Sequence, residues 1–394
     1  MNRVTPKLCA SAAALLLCVS GSAVAQDEGP TTTYKFGGYA KFDAMFSDYS
    51  GPTPSTDSII RQFYIPSAIP LDGDSDDISA DFQARETRIN FRADTKTAGG
   101  DSITAFIEMD FFAVGGTSAN ELVSNSFSPR LRHAFIKYNK WTFGQTWSTF
   151  QDVAALPEAL DFVGPAESTT FVRQAMIRYT TGGLELAVEN PQTLVAGVNA
   201  ADRGLSTMPD LIGRYTFKFG DKGSYLKVAG VYRSLKVDDT SGDGSQNDET
   251  GYGISASTKI MFGSADLRAM VTVGDGLGRY VGLGFVPDGY VDPGTGEIAT
   301  AEVVAAFVAL RVPFGNGWRT NIMFGTTDIS YDDDVLAAGS NGSASSFHVN
   351  LIKNILPKLD VGVELMYAEV EKVGAQVPNS GDFTRVQFSA KYAF

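Results

Sequence analysis

The sequence predicts an all-β protein, a transmembrane antiparallel β-barrel of 16 strands with short periplasmic turns and long extracellular loops. Three observations carry that expectation. Apolar and aromatic residues alternate with polar ones in segments of about ten residues, which is strand periodicity. The links between segments alternate between short and long. Finally, beyond the first two dozen positions of the 394-residue chain, no apolar run approaches the ~18 residues that a membrane helix needs.

The chain begins with a sorting signal. Arg3 and Lys7 form a basic start, Ala10 to Ser20 a short apolar stretch, and Ala23-Val24-Ala25 a small-x-small cleavage pattern. Residues 1–25 are therefore expected to be removed, leaving 26–394 as a single barrel domain exported to the bacterial outer membrane. The only two cysteines, Cys9 and Cys18, fall inside the removed segment, so neither disulfides nor thiolate metal sites stabilise the remainder. A formal net charge of -13 argues against a nucleic-acid partner.

The first strand runs through Tyr34, Phe36, Phe42 and Phe46 on one face, with Lys35, Lys41 and Asp43 on the other; the last carries Val386, Phe388, Tyr392 and Phe394 opposite Arg385, Gln387 and Lys391. Between them, segments follow near 82–94, 102–112, 131–139, 141–148, 171–180, 184–190, 210–219, 224–236, 251–262, 266–274, 301–312, 318–328, 346–355 and 360–369. Short links such as Asn139-Lys140 alternate with long ones such as 47–77, 149–170 and 275–300. In lipid an open sheet edge would leave backbone groups without partners, so such a chain must close on itself.

If the apolar parity faces lipid, the opposite parity lines the lumen. That places Arg88, Arg92, Arg178, Arg214, Arg268 and Arg319 on a basic inner wall, with fewer inward acids, among them Asp43, Glu86, Glu108, Asp110 and Glu364. The acidic excess collects in the loops, for example at Asp72 to Asp77 and Asp332 to Asp334. A row of guanidinium groups favours small anions. Parity leaves Arg130 and Arg132 open between the lumen and the interfacial rim, because they share register with Ala134, Ile136 and Tyr138. The 149–170 segment is the candidate constriction loop, setting Asp152, Glu158, Asp161 and Glu167 against the basic wall.

A set of short motifs resembles the DcaP-like trimeric outer-membrane porins: Phe36-Gly-Gly-Tyr-Ala-Lys-Phe-Asp43, Ala84-Arg-Glu-Thr-Arg88, Phe106-Ile-Glu-Met-Asp-Phe-Phe112, Arg132-His-Ala-Phe-Ile136 and Gly144-Gln-Thr-Trp-Ser148. The likeness continues at Arg173-Gln-Ala-Met-Ile-Arg178, Pro209-Asp-Leu-Ile-Gly-Arg214 and Gly274-Asp-Gly-Leu-Gly-Arg279. The resemblance implies a homotrimer of sixteen-stranded barrels in outer-membrane lipid and lipopolysaccharide, passing small anionic solutes, usually dicarboxylates, with no cofactor. General and phosphate-preferring porins are the alternatives within transport; an outer-membrane enzyme or an adhesin are those outside it. The family's better-known members carry an N-terminal helical extension, whereas about eight residues separate Gln26 from the first strand here.

A catalytic reading finds few candidates. His133 and His348 are the only histidines, neither in zinc-binding spacing, and each reads as a wall residue. Asp72-Gly-Asp-Ser-Asp-Asp77 lacks the glycine and terminal glutamate of a calcium loop. The glycines of 274–278 are followed by no helix that could receive a phosphate.

Overall fold

The computed structural model describes residues 29–74, 78–112, 125–196, 208–220, 223–238, 246–292, 294–334, 337–374 and 378–394. The expected signal peptide and part of the acidic loop residues, including Asp76, Asp77 and Asp243, lie outside the described residues.

The strands are β1 (Thr31–Tyr49), β2 (Ser79–Gln83), β3 (Arg88–Lys96), β4 (Ser102–Asp110), β5 (Arg130–Tyr138), β6 (Trp141–Trp147), β7 (Arg173–Thr181), β8 (Leu184–Glu189), β9 (Val195–Ala196), β10 (Asp210–Phe219), β11 (Ser224–Asp238), β12 (Gln246–Phe262), β13 (Ala265–Asp275), β14 (Gly289–Val291), β15 (Ile298–Gly315), β16 (Trp318–Tyr331), β17 (Asn341–Leu356), β18 (Leu359–Lys372) and β19 (Ser380–Ala393). Each wall strand pairs antiparallel with its neighbours, and β1 pairs with β19 from Tyr39↔Ala393 to Tyr49↔Phe383, which closes the barrel. Sixteen wall strands result, because β2 and β3 are two halves of one strand that both pair with β1, while β9 and β14 form a small parallel ribbon in the loops.

The alternation works as the sequence predicts, with lipid in the place of water. Phe42, Phe46, Phe82, Phe91, Ile107, Phe143, Phe324 and Phe388 are exposed on the outer face, whereas Lys41, Asp43, Ser47, Arg233, His348, Glu364 and Arg385 are buried on the inner one. A polar interior with an apolar exterior is the arrangement that a spanning barrel requires. Aromatic pairs such as Phe36 on Phe394, stacked with centroids 6.3 Å apart, continue the apolar band across the closing seam.

Two local departures matter for the interior. The expected continuous strand over 82–94 is broken at Ala84–Thr87, where the Thr87 amide donates to the Ala84 carbonyl and Glu86 turns in to pair with Lys41. On β5 the pairing slips by one residue opposite Glu108 and Met109: Glu108 faces His133, but Met109 faces Leu131. This bulge gives the strand one extra residue. Leu131 and Ile136 consequently both point outward although their parity differs, and Arg130, Arg132 and His133 all face inward. The rim placement left open for Arg130 and Arg132 is thereby resolved in favour of the lumen.

The lumen is partly filled. Ile60, Tyr64 and Ile69 from the loop before β2, Phe150, Val163 and Ala166 from the 149–170 loop, and Leu277, Tyr280, Val281 and Phe285 from the loop after β13 pack into one apolar core. That core lies against inward side chains of β10, β11, β15, β16, β17, β18 and β19, namely Ile212, Val231, Ala305, Ile329, Ala344, Met366 and Phe383. A cavity beside it is lined by residues of β3 to β6.

Candidate functional site

The 149–170 loop runs inside the barrel and most of it is buried. Why it stays there follows from its partners. The backbone carbonyls of an irregular segment need donors once they leave water, and the inward cations of the wall supply them. Arg178 donates to Trp147 O and, at 2.7 Å, to Thr149 Oγ1; Arg214 donates to Gln151 O; Arg268 donates to Leu156 O. Lys41 and Gln387 both donate to Leu160 O, at 2.6 and 2.9 Å.

The loop carboxylates divide into two pairs. Asp152 is ion-paired with Lys227 and accepts from Ser257 Oγ at 2.9 Å. Glu158 reaches Arg311 at 2.9 Å and Arg319 at 2.7 Å, and Arg319 is shared with Asp360 at 2.9 Å. Burial would push the Glu158 carboxyl up, but hydrogen bonds and charge from Arg319 and then Arg311 outweigh it and hold the group below the usual carboxylate range. These two acids lie against Lys227, Arg311 and Arg319 of the wall. Asp161 and Glu167 are buried beside the apolar core, where Asp161 accepts from the Tyr64 amide at 2.9 Å and faces Arg385, and Glu167 accepts from Ser346 Oγ at 2.9 Å beside His348. Burial raises both of these carboxyls.

Four of the six predicted wall arginines, Arg178, Arg214, Arg268 and Arg319, therefore hold the loop. Arg92 stands apart, half exposed and paired with Asp94 at 2.7 Å. Arg88 lies on the open side, in company the parity rule missed. It lines a cavity of about 420 Å³ with Glu108, Arg132, His133, Trp147 and Phe162. There Asp110 accepts from Arg130 at 2.8 Å and Arg132 at 2.7 Å, and Glu108 from Arg132 at 2.8 Å. Phe162 of the loop has the guanidinium carbons of Arg88, Arg130 and Arg132 within 6 Å of its ring centre, and Trp147 is shared by Arg132 and Arg173. Four cations thus face two carboxylates, and Nε of Arg88 and Nη1 of Arg173 are buried with no acceptor among the described residues.

A signal for this cluster existed in the sequence. The change of apolar phase between Leu131 and Ile136 marks a bulge, which carries both neighbouring arginines inward. Arg173 gave none, since strict alternation groups it with Ala175 and Ile177.

The loop also needs room against the wall opposite, and Gly325 on β16 provides it. A Cβ there would lie 2.4 Å from Glu167 Oε1 and Ser168 Oγ and 2.5 Å from Pro165 Cβ. Gly325→Val is expected to push residues 165–168 off the wall at a cost of about 1–3 kcal/mol. Faster proteolysis of the loop in the folded, detergent-solubilised barrel would report it; unchanged cleavage would mean that the contact is slack.

Among the described residues, no helix is long and apolar enough to cross a membrane and no group of three side chains could hold a metal. Ser346, His348 and Glu364 are linked as in a hydrolase triad, with His348 Nε2 3.1 Å from Ser346 Oγ and Nδ1 3.3 Å from Glu364. Each is at most 1% exposed and the Ser346 hydroxyl is directed to Glu167, so no acyl group reaches it.

A closed sixteen-stranded barrel, apolar outside and polar inside, narrowed by an inward loop, defines an outer-membrane porin. Comparison with known proteins agrees. Residues 21–271 match the family model of the DcaP outer membrane protein, and the chain belongs to that family. Among solved structures, the outer membrane channel DcaP of Acinetobacter baumannii superposes with a TM-score of 0.76 at 22% identity, covering 95% of this chain and 100% of that one. The anion-selective porin from Comamonas acidovorans does so with a TM-score of 0.58 at 11% identity, covering 92% and 100%. OmpF of Salmonella typhi follows with a TM-score of 0.52 at 12% identity, covering 92% and 97%. No curated protein matches.

Proposed function

We propose that the protein is a passive porin for small anionic solutes, dicarboxylates in particular, exported through a cleaved signal peptide at 1–25 and folded over 26–394 as one barrel domain. The observation that carries the reading is the cluster of Arg88, Arg130, Arg132 and Arg173, of which Arg88 and Arg132 line the cavity; against Glu108 and Asp110 it leaves a basic excess. In a confined lumen of low effective dielectric that excess attracts an anion more strongly than it would in bulk water. The 149–170 loop is the constriction, with the Glu158, Arg311 and Arg319 group on its far side. The wall assigned to Arg178, Arg214, Arg268 and Arg319 contributes by positioning that loop, and Arg92 contributes little. A homotrimer embedded in outer-membrane lipid and lipopolysaccharide is the assembly that the sequence resemblance supports.

The test is the reversal potential of the purified protein in a planar bilayer under a salt gradient, followed by addition of succinate or adipate. Anion-selective sign with dicarboxylate block is the expected result. Cation selectivity would overturn the reading.

A further inference from the structure

The end of the constriction loop is fastened by buried groups that the selectivity reading does not use. Glu364 on β18 is 1% exposed, and its two oxygens face four donors: the Leu160 amide at 2.7 Å, the Asp161 amide at 3.3 Å, Asn350 Nδ2 at 2.9 Å and His348 Nδ1 at 3.3 Å. Three of these four are fixed N–H donors, and such a set favours the carboxylate form of Glu364, to which His348 Nδ1 is then the fourth donor. On the other side of the ring, with Glu167 ionised, Ser346 gives its one hydroxyl proton to Glu167 Oε1 at 2.9 Å. Its oxygen must therefore accept from His348 Nε2, 3.1 Å away. Both ring nitrogens donate, which is the pattern of an imidazolium.

The consequence is mechanical. His348 joins the two ends of the loop's inner segment, residues 160–161 through Glu364 and residue 167 through Ser346. Thr327 Oγ1 adds a bond to Glu167 O at 2.7 Å, and Asn350 Nδ2 adds one to Glu158 O at 2.8 Å. The charged and titratable groups facing the imidazolium are Glu364 from β18, Asp161 and Glu167 from the loop, and Tyr64 from the loop before β2, its ring 6.1 Å away. Arg385 of β19 lies beyond Asp161, donating to Ser47, Tyr49 and Ile60.

We propose that His348, Glu364 and Ser346 are positioning residues that clasp the constriction loop to the wall, and that the proton on His348 closes the clasp. With His348 charged, both ends of the segment are tied. Once it is neutral, one ring nitrogen must turn a lone pair towards Glu364 or Ser346, and one link is lost. The clasp therefore holds below the pH at which the buried ring releases its proton and opens above it. The inference rests on the channel reading only in taking the lumen to conduct.

The experiment is single-channel recording of the full protein from about pH 6 to about pH 9, a window in which histidine is the side chain able to act as a switch. A charge-assisted hydrogen bond is lost, so closures and substates should become about tenfold more frequent at the alkaline end. His348→Gln should be restless at every pH and lose the dependence. A Cys pair at Ala159 and Val361, which line one small cavity between loop and wall, should restore quiet current to that variant when oxidised. If His348→Gln does not assemble, Ser346→Ala, which cuts only the Glu167 link, should give the same rise at neutral pH. Wild-type traces indifferent to pH, or a dependence that survives in the variants, would overturn the clasp. Cation-selective wild type with pH-dependent closures would sink the anion reading and leave the clasp standing.

Discussion

Arg88→Gln combined with Arg173→Gln is expected to lower the anion-to-cation permeability ratio by about tenfold, roughly 1.4 kcal/mol at the narrowest point, whereas Arg92→Gln should leave it unchanged. Each substitution removes one formal charge, so Arg92→Gln set against Arg88→Gln or Arg173→Gln alone tests placement at equal charge. Arg88 and Arg173 each carry a buried nitrogen without an acceptor and share the Phe162 and Trp147 rings with the rest of the cluster; Arg88 reaches Glu108 only at 3.9 Å, and Glu108 is already taken by Arg132 at 2.8 Å, so their charge is partly uncompensated and shielded from water. Arg92 is half exposed and already paired with Asp94, and a solvent-exposed pair contributes little field. Arg132 is a poorer target despite its central position. It is 1% exposed and bridges Glu108 and Asp110, so removing it would leave Asp110 to Arg130 alone and Glu108 with Arg88 at 3.9 Å, and would confuse selectivity with loss of packing. The measurement is the reversal potential under a salt gradient, with assembly checked by resistance of the folded barrel to detergent. A double variant as anion-selective as the wild type would place the conducting route elsewhere.

The contrast between Arg88 and Arg92 also shows where sequence reasoning reaches its limit. Alternation assigned inner and outer faces correctly along β1 and β19, since Phe42, Phe46 and Phe388 are outward while Asp43, Ser47 and Arg385 are buried within. Strand count and closure followed from the same period-two pattern, which is local and therefore readable. What parity does not encode is what a side chain meets once inside. Arg178, Arg214 and Arg268 are inward as expected, yet each donates to a loop atom, at Thr149, Gln151 and Leu156. Those partners are 29, 63 and 112 positions away along the chain, and no periodicity relates them. The bulge at Arg132 is an intermediate case, written in the phase change from Leu131 to Ile136 but easily taken for an interfacial rim. Asp161 and Glu167 show the opposite failure. As acids in a loop rich in charge they read as field-setting groups, but the apolar neighbours Phe150, Val163 and Ala166 draw that part of the loop inward, and both carboxyls end buried beside that core, against Tyr64, Ser346 and His348.

Glu158→Gln should act in the opposite direction to the arginine pair, raising anion preference several-fold and, at neutral pH, imitating what acid does to the wild type. Glu158 shares Arg311 with Asp266, at 2.9 and 3.6 Å, and Arg319 with Asp360, at 2.7 and 2.9 Å. Its charge is held by those two guanidiniums against the effect of burial, so its folded value lies below the usual range near about 4.3. The sign follows from linkage. For a carboxyl lowered in the folded state, the pairing is fully present above the unfolded value and is lost as pH falls through the folded one. Wild-type selectivity should therefore be flat from neutral pH down to the ordinary carboxylate range and rise towards anions only below it, as Arg311 and Arg319 are released into the bore. Glu158→Gln should already sit at that higher plateau and stay flat through the same acidic window. Because the Glu158 backbone carbonyl still accepts from Asn350 at 2.8 Å, the substitution removes charge without removing the backbone tie. A variant that instead became noisy without changing its reversal potential would mean that Glu158 serves to anchor the loop and that its charge does not reach the permeating ion.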